Sequence, residues 1–493
     1  MLDSVILVEL EGIVGAGHVL TSKEDRIAYS YDATFLEHWP DAIVSPAITD
    51  EVSAVMEVAD AHRIPVVPRG AGTGLAGGSV PSRGGIVLAL TRMNRLLEID
   101  KVNMTATAEA GLITGELQER AEALGLFYPP DPASIRQCTL GGNVATNAGG
   151  PRCVKYGVTR DYVRAMTVVL ADGRVLNLGG KVIKNVTGYD LMHLFIGSEG
   201  TLGIVTEVTV RLIARPQEFR TALVTFPRLD EVGEAIQHIL LSGVLPSTIE
   251  LMDQTTINTV EEYAHLGLPI EAEALLLIEV DGKTAEEVDR DIQSVADVCR
   301  TAGASDVQVP CDAEGREALW EMRRAVGPSV ARRAPNLLGE DISVPLAAIP
   351  EAIRRLRELP RRFGLPVVIY GHAGDGNLHP NILFDRRGAS QQPIVERMVR
   401  EIFRIAVELG GTLSGEHGIG LAKRPYLEMA LEPVVLDVMY SVKRTMDPKG
   451  ILNPDKIFPL DDRRLLADGH AGRHRSGGGH GCGSRRERLG HGS

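Results

Sequence analysis

Three glycine-rich segments between positions 68 and 205 constrain this chain more than any other feature. The first reads Pro68-Arg-Gly-Ala-Gly-Thr-Gly-Leu-Ala-Gly-Gly-Ser-Val-Pro81. The second is Pro129-Pro-Asp-Pro-Ala-Ser134 followed by Thr139-Leu-Gly-Gly-Asn-Val-Ala-Thr-Asn-Ala-Gly-Gly150, and the third is Ile196-Gly-Ser-Glu-Gly-Thr-Leu-Gly-Ile-Val205. One glycine loop is a turn. Three of them, rich in Gly, Asn, Thr and Ser, imply a long polar ligand laid along backbone that glycine lets approach closely. The first contains Gly72-x-Gly74-x-x-Gly77, the letters of a dinucleotide fingerprint. That fingerprint needs a following helix whose N-terminus holds the pyrophosphate. Here Gly78, Pro81 and Gly84-Gly85 follow, and then a strand pattern, which argues against a Rossmann NAD site. Successive N–H groups of a glycine turn still form an anion-binding nest without a helix.

Around these loops the hydrophobic pattern predicts an α+β protein. Residues 1–37 read as a helical lead-in and 38–217 as a domain of short strands, including Ile64–Pro68, Gly85–Leu90 and a strand pair within Ala165–Leu178 turning at Asp172-Gly173. Ile204, Thr206, Val208, Val210 and Leu212 fall on one face of a strand, with Glu207 and Arg211 on the other. The texture changes over 218–459. Arg220–Met252 and Ala274–Val309 each read strand, helix, strand, and the second helix opens with Thr284 and Glu287 in capping-box spacing. Two such units are the parts of a ferredoxin-like α+β layer. Residues 392–410 and 433–446 read as a C-terminal helical segment, and the Gly/Arg/His-rich stretch 460–493 as a disordered tail.

Two further segments carry chemistry: Tyr370-Gly-His-Ala-Gly-Asp-Gly-Asn-Leu-His-Pro380 and Ser414-Gly-Glu-His-Gly-Ile-Gly420. His372 and His379 bracket a short loop between two strand patterns, Pro366–Tyr370 and Asn381–Phe384, which brings both imidazoles towards one point. With Glu416 they offer three ligands of the kinds a zinc-like ion takes at a catalytic site, leaving one position open. Zinc is the first expectation for a divalent metal here, and manganese, iron or cobalt suit the same set. The alternative is histidines that hydrogen-bond ligand without metal.

In this order, the three loops resemble the flavin-binding domain of the vanillyl-alcohol-oxidase/PCMH superfamily. The His-x6-His and Gly-Glu-His-Gly segments, with the ending Met446-Asp-Pro-Lys-Gly-Ile-Leu-Asn-Pro-Asp-Lys-Ile-Phe458, narrow the resemblance to the branch of glycolate oxidase flavoprotein subunits, D-lactate dehydrogenases and D-2-hydroxyglutarate dehydrogenases. It covers roughly residues 38–459. It implies a PCMH-type FAD-binding domain ahead of the ferredoxin-like substrate domain, with FAD along Pro68, Arg69, Gly70, Ala71, Gly72, Thr73, Gly74, Leu75, Gly78 and Ser79. It implies further cofactor contacts from Pro130, Asp131, Ser134, Gly141, Gly142, Asn143, Thr146, Asn147 and Gly149, then from Glu199, Gly200, Gly203, Ile204 and Val205, and from Asn453 at the C-terminal end. Many superfamily members tether FAD through a histidine in the first loop. Residues 70–78 contain none, so FAD is expected to bind non-covalently.

The resemblance further implies oxidation of a small 2-hydroxy acid to the 2-oxo acid, with hydride passing to flavin N5. His417 is the candidate base, the metal polarises the substrate oxygen, and Asn377 hydrogen-bonds substrate or orients a ligand. Leu319-Trp-Glu-Met-Arg-Arg324 resembles the family's Leu-Trp-x-x-Arg segment, which makes Arg323 the bidentate clamp for the carboxylate. The 2-hydroxyglutarate enzymes place a lysine shortly before an Asp-x-Ser-x-Pro stretch. Here the matching position is Gly339, in Gly339-Glu-Asp-Ile-Ser-Val-Pro345, which favours glycolate or D-lactate over the dicarboxylate. Two rivals stay open: a flavin transferase resembling alkyl-dihydroxyacetone-phosphate synthase, and a flavin subunit active only within an iron–sulfur complex.

The formal net charge of −13 argues against a nucleic-acid partner, and no run reaches the roughly 18 apolar residues of a membrane helix. Five scattered cysteines without a CxxC pair predict neither a disulfide framework nor an iron–sulfur cluster in this chain. Together these fit a cytoplasmic location, with attachment to the inner membrane through a partner left open. The electron acceptor is then a quinone, a cytochrome or an electron-transfer flavoprotein. A homodimer is left open too.

Overall fold

The computed structural model describes residues 1–388 and 390–458, so the expected disordered tail lies outside the described residues. The chain begins with α1 (Ser4–Val14), N-capped by Asp3, whose carboxylate accepts from the Val5 N–H. The lead-in is only partly helical. Val19–Leu20 (β1) pairs antiparallel with Ala42–Val44 (β2), which runs parallel in one sheet with Val66–Arg69 (β3) and Ile86–Ala89 (β4), order β1-β2-β4-β3. The first glycine loop connects β3 to β4.

A second sheet holds β5 (Leu96–Asp100), β6 (Thr105–Glu109), β7 (Val163–Val169), β8 (Val175–Gly179) and β9 (Ile204–Arg211), antiparallel in the order β5-β6-β9-β7-β8. The predicted hairpin and the 204–212 strand are here, but a β-bulge between Val205 and Glu207 changes the predicted facing. Ile204 packs into one core cluster, whereas Val205, Val208, Val210 and Leu212 pack into another. A bulge inserts one residue into the ladder and so breaks strict alternation. The second glycine loop enters α2 (Leu140–Thr146), N-capped by Thr139.

The layer that follows is one eight-stranded sheet. Its first part is β10 (Glu218–Phe226), α3 (Leu229–Leu241), β11 (Thr248–Asp253), β12 (Ala274–Gly282), α4 (Ala285–Thr301) and β13 (Asp306–Gln308), in the order β13-β10-β12-β11. This is the ferredoxin-like arrangement predicted from two strand-helix-strand units, with Thr284 accepting from the Glu287 N–H at the start of α4. The sequence did not announce that the sheet continues. After α5 (Ala313–Arg324) come β14 (Asn336–Gly339), β15 (Ile342–Ser343), β16 (Val367–His372) and β17 (Asn377–Phe384), which extend the sheet as β11-β16-β17-β14, with β15 also pairing β17. Helices α6 (Gln392–Glu408) and α7 (Pro433–Met446) follow as expected.

Period-two alternation sorts this sheet. Ala222, Val224, Ile249, Leu251, Leu276, Ile278, Ile369 and Ile382 face α3, α4 and α6 in the main core cluster. Their neighbours Leu223, Met252, Leu275, Val368 and Leu383 face the opposite side, in a smaller cluster with Met322 of α5. That opposite face also carries the polar residues of the site.

Candidate functional site

The two histidines bracket the loop 373–376 between two strands, as expected, but both strands run further towards it than the sequence suggested, so each histidine lies within a strand. β16 ends at His372, β17 begins at Asn377, and the two form a hairpin with Tyr370 opposite His379 and His372 opposite Asn377. On an antiparallel pair, opposite and alternate residues share a face, so His372, Asn377 and His379 point the same way. Glu250 of β11 lies directly across from His372 and joins them. Glu416 arrives from the glycine segment after α6. Its Oε1 lies 3.6 Å from Nε2 of His372 and 3.6 Å from Nε2 of His379. Donors about 2.0–2.2 Å from one ion at tetrahedral angles sit roughly 3.3–3.6 Å apart, so the spacing suits a single metal. The ligand-type atoms of all three residues lie within 4.8 Å of one another.

Glu250 Oε1 hydrogen-bonds Nδ1 of His372, which leaves Nε2 as the nitrogen turned to Glu416. This carboxylate–histidine pairing is the outer-shell arrangement that orients metal-ligating histidines. Burial opposes ionisation of Glu250, but His372 and Arg323 outweigh it and hold its carboxyl down at about 2. Burial likewise opposes a charged His372, yet Glu250 and Glu416 raise its pKa well above the ordinary value. Burial and the neighbouring His372 push His379 down to about 3. Its Nδ1 is buried with no partner among the described residues.

His417 stacks on His379, with centroids 5.5 Å apart and rings 11° from parallel. Its Nε2 is 3.9 Å from Glu416 Oε1 and its Nδ1 4.0 Å from Asp341 Oδ2. Asp341 is the organiser of this corner. One oxygen, Oδ2, accepts from the N–H groups of Gly415, Glu416 and His417 and from Ser414 Oγ, at 2.7–3.1 Å. Lys423 Nζ donates to the same oxygen at 3.2 Å. Burial opposes the charge, but Lys423 and the histidines overcome it and keep Asp341 well below the usual carboxylate range.

Two predicted catalytic residues are already engaged. Asn377 Nδ2 donates to Asp341 Oδ1 at 2.7 Å and to Ile342 O at 2.9 Å, which makes it a support for the 414–417 corner. Arg323, at the end of α5, donates from Nε (2.7 Å) to Glu250 Oε2, with Nη2 at 2.6 Å from the same oxygen, and lies over the Tyr370 ring. Glu250 and Asp341 escaped the sequence reading. The available signal was an acid inside a strand that otherwise reads apolar, Thr248-Ile-Glu-Leu-Met-Asp253.

Beside this corner opens a cleft of about 1420 Å³ including its mouth, lined by all three glycine loops and by Glu416 and His417. Most predicted cofactor residues line it: Pro68 to Leu75, Gly78 and Ser79 of the first loop, Ser134, Gly141 to Asn143, Thr146 and Gly149 of the second, and Glu199, Gly200 and Gly203 to Val205 of the third. The N–H groups of Ala71 to Leu75 donate no hydrogen bond among the described residues, as an anion nest awaiting a phosphate would require. Gly149 abuts the histidine–glutamate corner, since a Cβ there would lie 2.9 Å from Glu416 Oε2. Cleft size, free donors and glycine placement fit FAD.

Four predicted residues lie off the cleft lining. Pro130 O accepts from Gln118 Nε2 at 2.9 Å, and Asp131 faces Arg152 with Oδ2 3.4 Å from Nε. Asn147 ends α2 in a left-handed conformation and accepts from the Arg160 N–H. Asn453 Nδ2 donates to Gly78 O and to Glu199 O, tying the first loop to the third. Glu199 lines the cleft, but its carboxylate accepts from the Ile419 and Gly420 N–H groups at 2.7 Å, clasping the segment after His417.

The sequence matches the family described as FAD linked oxidases, C-terminal domain, over residues 215–457, and an FAD binding domain over residues 40–179. It is 43% identical to the glycolate oxidase subunit GlcD of Bacillus subtilis (strain 168), over 94% of this chain and 99% of that protein. It is 37% identical to a D-lactate dehydrogenase of Anaerostipes hadrus, over 89% of this chain and 94% of that protein. Its fold matches p-cresol methylhydroxylase with a TM-score of 0.77 at 17% identity, covering 93% of this chain and 97% of that one. The chain belongs to the FAD-linked oxidases, an oxidoreductase family, with the PCMH-type cofactor fold that its three glycine loops implied.

Proposed function

We propose that this protein oxidises a small 2-hydroxy acid, glycolate or D-lactate rather than D-2-hydroxyglutarate, to the 2-oxo acid, with metal assistance. The observation that carries the reading is the meeting of His372, His379, Glu416 and His417, the last two of which line the cleft of the glycine loops. The names of the Bacillus and Anaerostipes relatives support the substrate class. When bound, FAD supplies the hydride acceptor, and a divalent metal, zinc by first choice, supplies a Lewis acid for the substrate oxygen. His372 and His379 through Nε2 and Glu416 through Oε1 are the residues that would hold the metal. His417 takes the hydroxyl proton at Nε2, the nitrogen on the Glu416 side, while Asp341 anchors its backbone. Arg323 binds the substrate carboxylate, turning from Glu250 to do so.

No cation stands at position 339 for a second carboxylate. A Cβ there would already crowd Asn381 Oδ1, and the nearby Glu340 is acidic. FAD is held non-covalently, since the 70–78 loop offers no histidine. The domains divide as 38–217 for cofactor and 218–459 for substrate and metal. Electrons leave to a quinone, a cytochrome or an electron-transfer flavoprotein. The printed name of the Bacillus relative, a subunit, favours an assembly with partner chains.

The test is anaerobic mixing of the purified protein with glycolate, D-lactate, L-lactate and D-2-hydroxyglutarate while flavin absorbance is followed. Bleaching by glycolate or D-lactate, lost after chelation, supports the reading. A yellow protein that only D-2-hydroxyglutarate bleaches overturns the substrate choice, and one that none bleaches overturns the activity. Flavin that stays with acid-precipitated protein overturns non-covalent binding.

A further inference from the structure

We propose that Glu250 is a positioning residue that couples the metal position to the carboxylate position, so that each ligand tightens the other's binding. The inference rests on the metal and Arg323 roles proposed above and goes beyond them, because neither role requires the two to communicate.

The geometry divides one carboxylate between two tasks. Glu250 Oε1 takes the His372 Nδ1 hydrogen, and Oε2 takes both Nε and Nη2 of Arg323 at 2.7 and 2.6 Å. Glu250 is 1% exposed, so no bulk water replaces a partner that leaves. The strand register seats it opposite His372 and prevents it from following a moving arginine. Arg323 is 17% exposed, closes α5 and rests on Tyr370, so it has freedom to turn.

The sign follows from competition for one anion. A guanidinium bonded to Oε2 draws electron density from the carboxylate and weakens Oε1 as an acceptor. When an incoming carboxylate takes the guanidinium, Oε1 holds the Nδ1–H of the neutral His372 ring more strongly, and Nε2 of that neutral ring becomes the better donor to a metal. Linkage then demands the converse, that metal on Nε2 favours carboxylate on Arg323. In this arrangement the metal centre reaches full donor strength only with a carboxylate in place.

The experiment uses the FAD-loaded enzyme stripped of metal, with zinc titrated against a competing chelator in the absence and presence of acetate. Acetate carries a carboxylate for Arg323 but no 2-hydroxyl oxygen, and it leaves the flavin oxidised. Acetate should tighten zinc binding to the wild type by roughly tenfold. Glu250→Gln should weaken zinc by about 10–100-fold and abolish the acetate effect. Arg323→Met should tighten zinc and also abolish the acetate effect. General damage to the site would weaken zinc in both variants, so the opposite signs separate coupling from disruption. The coupling is overturned if Glu250→Gln keeps the acetate response, if Arg323→Met weakens zinc, or if the wild type binds zinc without responding to acetate. A wild type that binds no zinc overturns the metal assignment and the coupling with it.

Discussion

The backbone N–H of His417 donates to Asp341 Oδ2 at 3.0 Å, and the N–H groups of Gly415 and Glu416 converge on the same oxygen. Three successive donors on one buried anion fix the path of the segment that carries both a candidate metal ligand, Glu416, and the candidate base, His417. Asp341→Asn should keep the shape of this corner and lose its charge, leaving the Lys423 ammonium buried without its carboxylate. The expected loss is roughly 3–5 kcal/mol in folding free energy, read by urea denaturation. Because Asp341 is held well below its ordinary value, its stabilisation is fully present above the unfolded carboxylate pKa and is lost as pH falls through the folded one. The gap between wild type and variant should therefore be equal at about pH 6 and pH 8 and narrow only in acid.

His379→Ala and Glu416→Gln should each remove metal while leaving the protein yellow. The cleft is lined chiefly by the glycine loops, and of the three candidate ligands Glu416 alone is in its lining. Bound metal should fall to a background level, and the rate of flavin reduction by substrate by at least about a hundredfold. Elemental analysis beside the flavin spectrum checks this. A metal-free variant that still reduces at the wild-type rate would remove metal from the reaction.

Gly200 has φ +68° and faces Pro68, so an added Cβ would strike the proline ring of the first loop. Gly200→Ala should force apart two walls of the cleft, in addition to the roughly 1–2 kcal/mol of left-handed strain on a non-glycine residue. The expected result is at least tenfold weaker FAD binding, on the order of 1.4 kcal/mol. Flavin retention on gel filtration reads it, with zinc binding to the apoprotein as the control that should stay unchanged.

Glu340 is buried, and burial raises its carboxyl from the ordinary 4.5 to about 7. A raised carboxyl pKa means that the folded state binds more protons, so stability is full below the unfolded value and declines as pH rises from about 4.5 to about 7. Glu340→Gln should remove that decline. Its melting temperature should match the wild type near pH 5 and exceed it by several degrees near pH 8, on the order of 3 kcal/mol at most. Thermal melts at the two values check the crossover.

The parts that local sequence governs were legible before the structure. The glycine loops, the capped α4, the strand-helix-strand units and the α7 boundaries follow from glycine freedom, caps and periodicity, all of which act within a few residues. The same is true of the ligand types at 372, 379 and 416. Where alternation was pushed too far, at Ile204, a bulge intervened, and a bulge depends on the partner strands rather than on the strand's own residues.

Other features belong to the tertiary structure alone. Nothing near Glu250 in the sequence indicates that it stands opposite a histidine 122 positions away, because that neighbour is set by strand register across the sheet. Asp341, Asn377 and the 414–417 corner likewise meet only when β15, β17 and the segment after α6 pack together. Asn453 could be expected near the cleft from its motif, but only packing shows that its Nδ2 ties the first loop to the third, through Gly78 O and Glu199 O. By itself the sequence determined the chemical inventory, FAD loops and metal-type ligands. The fold decided which carboxylates hold those ligands in place, because a buried charge needs partners and only three-dimensional packing supplies them.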